Sequence, residues 1–455
     1  MLGATLFVAA CAGDDTTDSV SADHSGPDEP VQRFRYPDAP ESPAADDDTN
    51  TEAAALIDRI NERLTVQAFE YLAVSELAEA GDPRHAWYVT DLMRFFGGDE
   101  GIQLRGTFEA ITGISLAADP DSARSPWLSA TNHLIAWDLP AYPGYEQDKA
   151  GIFLLVEPRW NRFFEGESEI DWRHVSWGGV LIDDREVGDP DPCARGCIPA
   201  LDDPAVTDAE GGEWYPDERI VFGIEVAGEA LAIPLNIAEV HEMFNLTLGG
   251  RRLGIPYCTL CGSAQAYFTD STGADEDPVL RTSGLLSRSN KVTYDLRTRS
   301  VFDTFTGDAV SGPLLDQGVS LEETTVVRST WGDWKQQHPD TTIVARDGRS
   351  YELDPLGGRD DDGPIFPIGE PDDRLPEQEL VVGVITADGT PVAFPADLAD
   401  TAVELEREVE LSGVRLVASG DGLTAETLDG EQVAAHEAFW FAWSQFHPDT
   451  LLWPE

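Results

Sequence analysis

Apolar residues return every three or four positions through Ala54-Ala-Leu-Ile-Asp-Arg-Ile-Asn-Glu-Arg-Leu64, the period of an amphipathic helix. A turn at Gly81-Asp-Pro-Arg leads into a second such run, His85 to Phe96, and Arg105-Gly-Thr-Phe-Glu-Ala-Ile-Thr-Gly-Ile gives a third. The pattern predicts a helical domain over 51–170. Short helices paired in this way resemble HEAT-type repeats, with a helical cap on the next domain as the plainer alternative. From about Asp171 the period shortens. Arg219 to Pro234 reads as a hairpin turning at Ala227-Gly228, and Asn236 is placed to cap a short helix ending before Gly249-Gly250. A strand from Gly250 leads into Tyr257-Cys-Thr-Leu-Cys-Gly262, another leaves it, and further strands are expected at 279–286 and 291–295.

The hairpin recurs. Ile220 to Pro234 aligns with Leu380 to Pro395, pairing Gly223 with Gly383 and Pro234 with Pro395. Thr330-Trp-Gly-Asp-Trp-Lys-Gln-Gln-His-Pro-Asp-Thr likewise resembles Phe439-Trp-Phe-Ala-Trp-Ser-Gln-Phe-His-Pro-Asp-Thr. The expected fold class is therefore α+β: an N-terminal helical, HEAT-like domain and then a β-rich region of two related modules, 171–345 and a reduced copy over 346–455. In each Trp-x-x-Trp-x-x-x-His-Pro run the helical spacing puts both tryptophans and the histidine, His338 or His447, on one face. Proline then stops the helix, so a capping role for the histidine is the main reading and a ligand role the secondary one.

Composition narrows the classes. Across 455 residues the formal net charge is −55, which excludes nucleic acid and anionic lipid headgroups as direct partners, because both demand a basic patch. Lysine is confined to Lys149, Lys291 and Lys335. Residues 1–11 end in Val8-Ala-Ala-Cys11 after a short apolar run, which resembles a bacterial lipobox with Cys11 as the lipidated residue. Residues 12–50 are too polar to pack and read as a disordered acidic tether. The expected location is thus outside the cytoplasm, anchored to the cytoplasmic membrane through lipid, with the helical domain available to a protein partner. No later stretch has the roughly 18 consecutive apolar residues of a membrane span.

Chemistry gathers at the C-x-x-C-G knuckle, where two thiols sit close enough to share a cation or to bond to each other. The helix expected just before the knuckle's strand carries His241, so Cys258, Cys261 and His241 form a candidate site for Zn, Cu or Fe. Glu242, Asn245, Cys193 and Cys197 are its candidate supporting or fourth ligands. Structural disulfides among Cys193, Cys197, Cys258 and Cys261 are the rival reading, and a redox-active dithiol is a third. No nucleophile elbow, phosphate loop or dinucleotide fingerprint occurs, so an enzymatic role has no motif behind it.

Five ordered segments carry a family resemblance: Gly196-Cys-Ile-Pro-Ala-Leu-Asp-Asp-Pro, Val240-His-Glu-Met-Phe-Asn, Tyr257-Cys-Thr-Leu-Cys-Gly-Ser-Ala, Ser283-Gly-Leu-Leu-Ser-Arg-Ser-Asn, and Thr330-Trp-Gly-Asp-Trp through His-Pro-Asp-Thr. Over about 174–455 the chain resembles the prokaryotic family known as domain of unknown function 3179. The resemblance implies no activity. Thr259 stands where that family usually has proline, and the Cys193/Cys197 pair is not one of its regular features, which marks the pair as a local addition such as a disulfide. The functional expectation is an extracytoplasmic lipoprotein that binds a transition metal in a redox or carrier role. The alternative is a non-enzymatic envelope interaction protein whose cysteines form structural disulfides.

Overall fold

Leu56, Ile57, Ile60 and Leu64 fall on one face of the first helix, Thr51–Thr65, and all four are buried. Asn50 starts that helix by accepting the Glu52 backbone N–H at 2.9 Å. The computed structural model describes residues 34–359 and 363–454, so Cys11 and the lipobox lie outside the described residues. Five more α-helices follow between Tyr71 and Val156. Lys149 and Asp91, both buried, tie two of them together at 2.7 Å, with Tyr145 donating to Asp91 at 2.8 Å. Of the stretch read as a tether, residues 34–50 lie against this domain, where Arg84 donates to the carbonyls of Ala44 and Asp47.

The expectation of a β-rich region made of two related modules is corrected by the strand pairing. Five separate sheets of four to six strands follow the helices, a five-bladed β-propeller. The repeat belongs to two of them. In one, the hairpin Ile220–Val226 and Glu229–Pro234 is flanked by Val327–Thr330, antiparallel, and Thr342–Val344, parallel. In the other, Leu380–Ile385 and Pro391–Pro395 are flanked in the same sense by Ala435–Phe439 and Leu451–Leu452. Each hairpin is thus closed by strands from far downstream, and the chain between them is free to build something else. The first frame encloses most of two sheets, and the second encloses one, Glu410–Leu411 through Gln432–Val433. Two repeated frames plus three enclosed sheets give five.

What closes each frame is a missing methyl group. A Cβ on Gly223 would stand 2.3 Å from the Trp334 ring, and one on Gly383 would stand 2.0 Å from the Trp443 ring. The indole of the Trp-x-x-Trp helix lies flat on the bare strand, and its N–H reaches Thr341 or Thr450 at 3.0 and 2.9 Å. His338 and His447 pack on those indoles at 4.0 and 4.3 Å between ring centres. Burial pushes the His447 imidazole down to about 4, as expected of an uncharged packing group.

The sheets touch in a closed ring. The buried residues of the helical domain join the sheet of Val175–Trp177 and Leu280–Ser287 in one core, and Trp160 donates to the Ser283 carbonyl at 2.8 Å. That sheet packs through Tyr267, Leu280 and Phe302 on the sheet holding Arg251–Cys258. The next contact is with the first frame. Asp421 of the enclosed sheet then accepts from the Thr330 N–H at 2.8 Å, and the enclosed sheet packs on the second frame. Phe446 closes the ring by stacking on Phe305 at 4.8 Å. Cys258 and Cys261 belong to this last core, where three sheets meet.

Candidate functional site

The strand Arg251–Cys258 ends at the knuckle, and Gly262, at φ +62°, turns the chain back into Ser263–Ala264. This holds the two sulfurs 2.9 Å apart, fully buried and unbonded. The Cys261 thiol faces the Ser289 carbonyl at 3.5 Å and Asn290 Oδ1 at 3.4 Å. Phe439 of the second frame donates its N–H to the Cys261 carbonyl at 2.8 Å, so the knuckle is stapled to two neighbouring sheets. Burial opposes ionisation of both thiols. For Cys258 the hydrogen bond with Cys261 and the Lys291 backbone N–H outweigh burial and hold it below the ordinary thiol value. Burial, and then the neighbouring Cys258, push Cys261 well above it.

Beside Cys258 lies a cavity of about 120 Å³, also lined by Glu242, Thr259 and Lys291. Lys291 pairs with the Glu242 carboxylate at 2.9 Å and donates to the Glu242 carbonyl at 2.7 Å, while Thr259 donates to the same carboxylate at 3.0 Å. Glu242 thus stands by the knuckle as the sequence placed it. Lys291, which sequence reasoning passed over, completes the pair. Its signal was available: one of only three lysines, set at the head of an expected strand.

The remaining predicted residues go elsewhere. His241 ends its helix with Nδ1 2.6 Å from the Pro199 carbonyl and Nε2 2.9 Å from the Tyr351 hydroxyl, so both ring nitrogens are engaged away from the sulfurs. Burial, against that carbonyl bond, takes its imidazole down to about 4. Asn245 bridges sheets, exchanging two hydrogen bonds with Leu280 and donating to Asp202 at 3.1 Å. Its amide is spent on architecture. Asn236 does not cap its helix but donates to the Glu352 carbonyl at 2.8 Å.

Cys193 and Cys197 are bonded to each other as a disulfide. Asp183 lies beside them, 3.8 and 3.9 Å from the two sulfurs, and these three side chains are the one group among the described residues with metal-ligating atoms gathered within 4.8 Å. Geometry alone allows a metal there. Chemistry restrains it: a ligating sulfur must be a thiolate, and these sulfurs are joined. The Asp183 carboxylate is also engaged, accepting from Arg185 at 2.7 and 2.9 Å and from the Ala200 N–H at 2.9 Å, with Arg281 at 3.9 Å. Reduction of the disulfide is therefore the precondition for metal binding at this cluster.

No curated protein and no solved structure matches the chain. A family model described as protein of unknown function (DUF3179) matches residues 195–427, a little over half of the chain and inside the span of the sequence resemblance, and the chain belongs to that family.

Proposed function

We propose that this chain is a non-enzymatic binding protein of the cell envelope whose cysteines serve its architecture. The observation that carries the reading is the contrast in cysteine state: Cys193 and Cys197 are closed, and Cys258 and Cys261 are buried in a core with polar neighbours matched to Cys261. A structural disulfide belongs to an oxidising compartment, which agrees with the lipobox at Cys11 and with lipid anchoring outside the cytoplasmic membrane. The helical domain would face a protein partner there. Propeller sheets and helices joined through one core offer a rigid body for binding.

A second reading is supported by the cavity beside Cys258. A depressed thiol next to Lys291 has the makings of a soft-metal or redox site. Peptide mapping of the full chain, alkylated with iodoacetamide before and after unfolding, separates the two. The expected result is one disulfide, Cys193 to Cys197, with Cys258 and Cys261 labelled only after unfolding and no stoichiometric metal by elemental analysis. Rapid native labelling of Cys258, or bound Zn, Cu or Fe lost in Cys258→Ser, would replace the first reading with the second.

A further inference from the structure

A second cavity lies away from the cysteines, where the end of the helical domain, the adjoining sheet and the Trp440–Phe446 helix meet, and it holds about 370 Å³. That is within the size range of small-molecule sites. Its walls are mostly apolar, among them Phe163, Val292, Phe302 and Phe446, and four charged side chains stand in them: Arg288, Asp303, Asp171 and, exposed, Glu169.

Among the described residues neither Arg288 nor Asp303 forms an ion pair, and Asp171 and Asp138 act on Arg288 only at longer range. Among the described residues no carboxylate comes within ion-pair distance of the Arg288 guanidinium, whose one side-chain hydrogen bond runs from Nη2 to His174 Nε2 at 3.4 Å. His174 is neutral, pushed down to about 4 by burial and then by Arg288 itself, so its Nε2 accepts and its Nδ1 faces Asp171 at 3.3 Å. Asp171 is already held by Arg173 at 2.7 Å. Asp303 accepts the N–H groups of Phe305 and Thr306 on one oxygen, at 2.8 and 3.2 Å, and among the described residues no cation pairs with it. Burial, first of all, pushes its carboxyl up, and Asp308 adds to this. Half-buried charges without partners are costly, and these two do not pair with each other across the cavity they share.

The backbone strains to present Arg288. Arg288 and Ser289 form the hairpin turn between Leu280–Ser287 and Asn290–Asp295 with φ of +45° and +68°. Such turns normally take Asn and Gly. Two ordinary side chains in left-handed conformation, the first of them on the cavity wall, mark a place where a side chain is worth the strain.

We propose that this cavity binds a small zwitterion of the amino-acid class, its carboxylate on the Arg288 guanidinium and its ammonium on Asp303, with an apolar side chain against Phe302 and Phe446. The site gives content to the binding role proposed above and rests on it. A planar guanidinium matches a carboxylate in a fork, and the ligand supplies Arg288 and Asp303 each with an ion-pair partner.

Isothermal titration of the full chain tests this with L-leucine, L-methionine and L-phenylalanine, and with N-acetyl-L-leucine and isopentylamine as the two half-ligands. At least one amino acid binds, and each half-ligand is weaker by about 10- to 100-fold, the worth of a hydrogen bond to a charged group. Arg288→Gln and Asp303→Asn each cause a loss of the same size. Asp303→Asn keeps the acceptor that the Phe305 and Thr306 N–H groups need, so it decides the matter if Arg288→Gln fails to fold. No binding of any of the three amino acids, half-ligands as tight as the whole, or affinity untouched by Asp303→Asn overturns the proposal. Cysteine mapping is independent of all these outcomes, so the failure of this site and the failure of the structural-cysteine reading show themselves separately.

Discussion

Two cysteine pairs of nearly the same spacing, Cys193/Cys197 and Cys258/Cys261, end in opposite states, and the difference lies in their neighbours. The first pair sits in an irregular loop against the Asp183 carboxylate, and an anion beside a sulfur disfavours the thiolate that a metal site requires. The second pair ends a strand, with carbonyl and amide oxygens placed to accept thiol protons and Lys291 near Cys258. One pair closes a short loop on itself beside an ion-paired carboxylate. The other fills the seam between three sheets. Spacing within a motif sets which atoms can meet, and the surrounding charge sets what they do on meeting.

The largest effect expected is at the carboxylate between the two arginines. Asp183→Ala leaves Arg185 and the wholly buried Arg281 without a shared partner and costs about 3–5 kcal/mol, read by urea unfolding. The same loss with and without chelator assigns Asp183 to the ion pair; a loss that chelator reproduces in the wild type assigns it to a metal. Next comes His241. Its folded-state value of about 4 lies below the unfolded 6.5, so the unfolded chain takes up the proton first as pH falls. Stability from the neutral ring is therefore complete above pH 6.5 and lost on the way down to pH 4. Between pH 7 and pH 5 this amounts to roughly 2 kcal/mol that His241→Gln removes from the pH dependence, while the thiol reactivity of Cys258 stays unchanged. Opening the first cysteine pair with Cys193→Ser and Cys197→Ser costs about 2 kcal/mol or less, because the loop it closes is short. A larger loss in thermal denaturation would mean that this loop organises more than itself.

Much of this was readable because it is local or repeated. The first helix follows from its apolar period, and the hairpin turn at Ala227-Gly228 from its glycine, which accepts positive φ. The two frames were visible as recurring Gly, Trp and His-Pro landmarks. The number of sheets was not, since each frame is finished by strands about a hundred residues or half that downstream, and the enclosed strands pair with segments as distant as Val175–Trp177 and Leu201–Asp202. His241 was placed beside the knuckle by adjacency in sequence, but its ring answers to Pro199 and Tyr351, far off on either side. Arg288 and Lys291 went unnoticed for the same reason. Their meaning comes from what a hairpin thirty residues beyond the knuckle is folded against.

The bare strands at Gly223 and Gly383 carry a consequence for how this architecture diversifies. A frame locked by an indole lying on its own hairpin does not depend on what the chain does between the hairpin and the tryptophans. That interval behaves as a socket: one copy has taken up the cysteine knuckle and the greater part of two sheets, the other a single meander. Related chains can then exchange whole sheets, and the chemistry borne on them, while the two locks stay as they are.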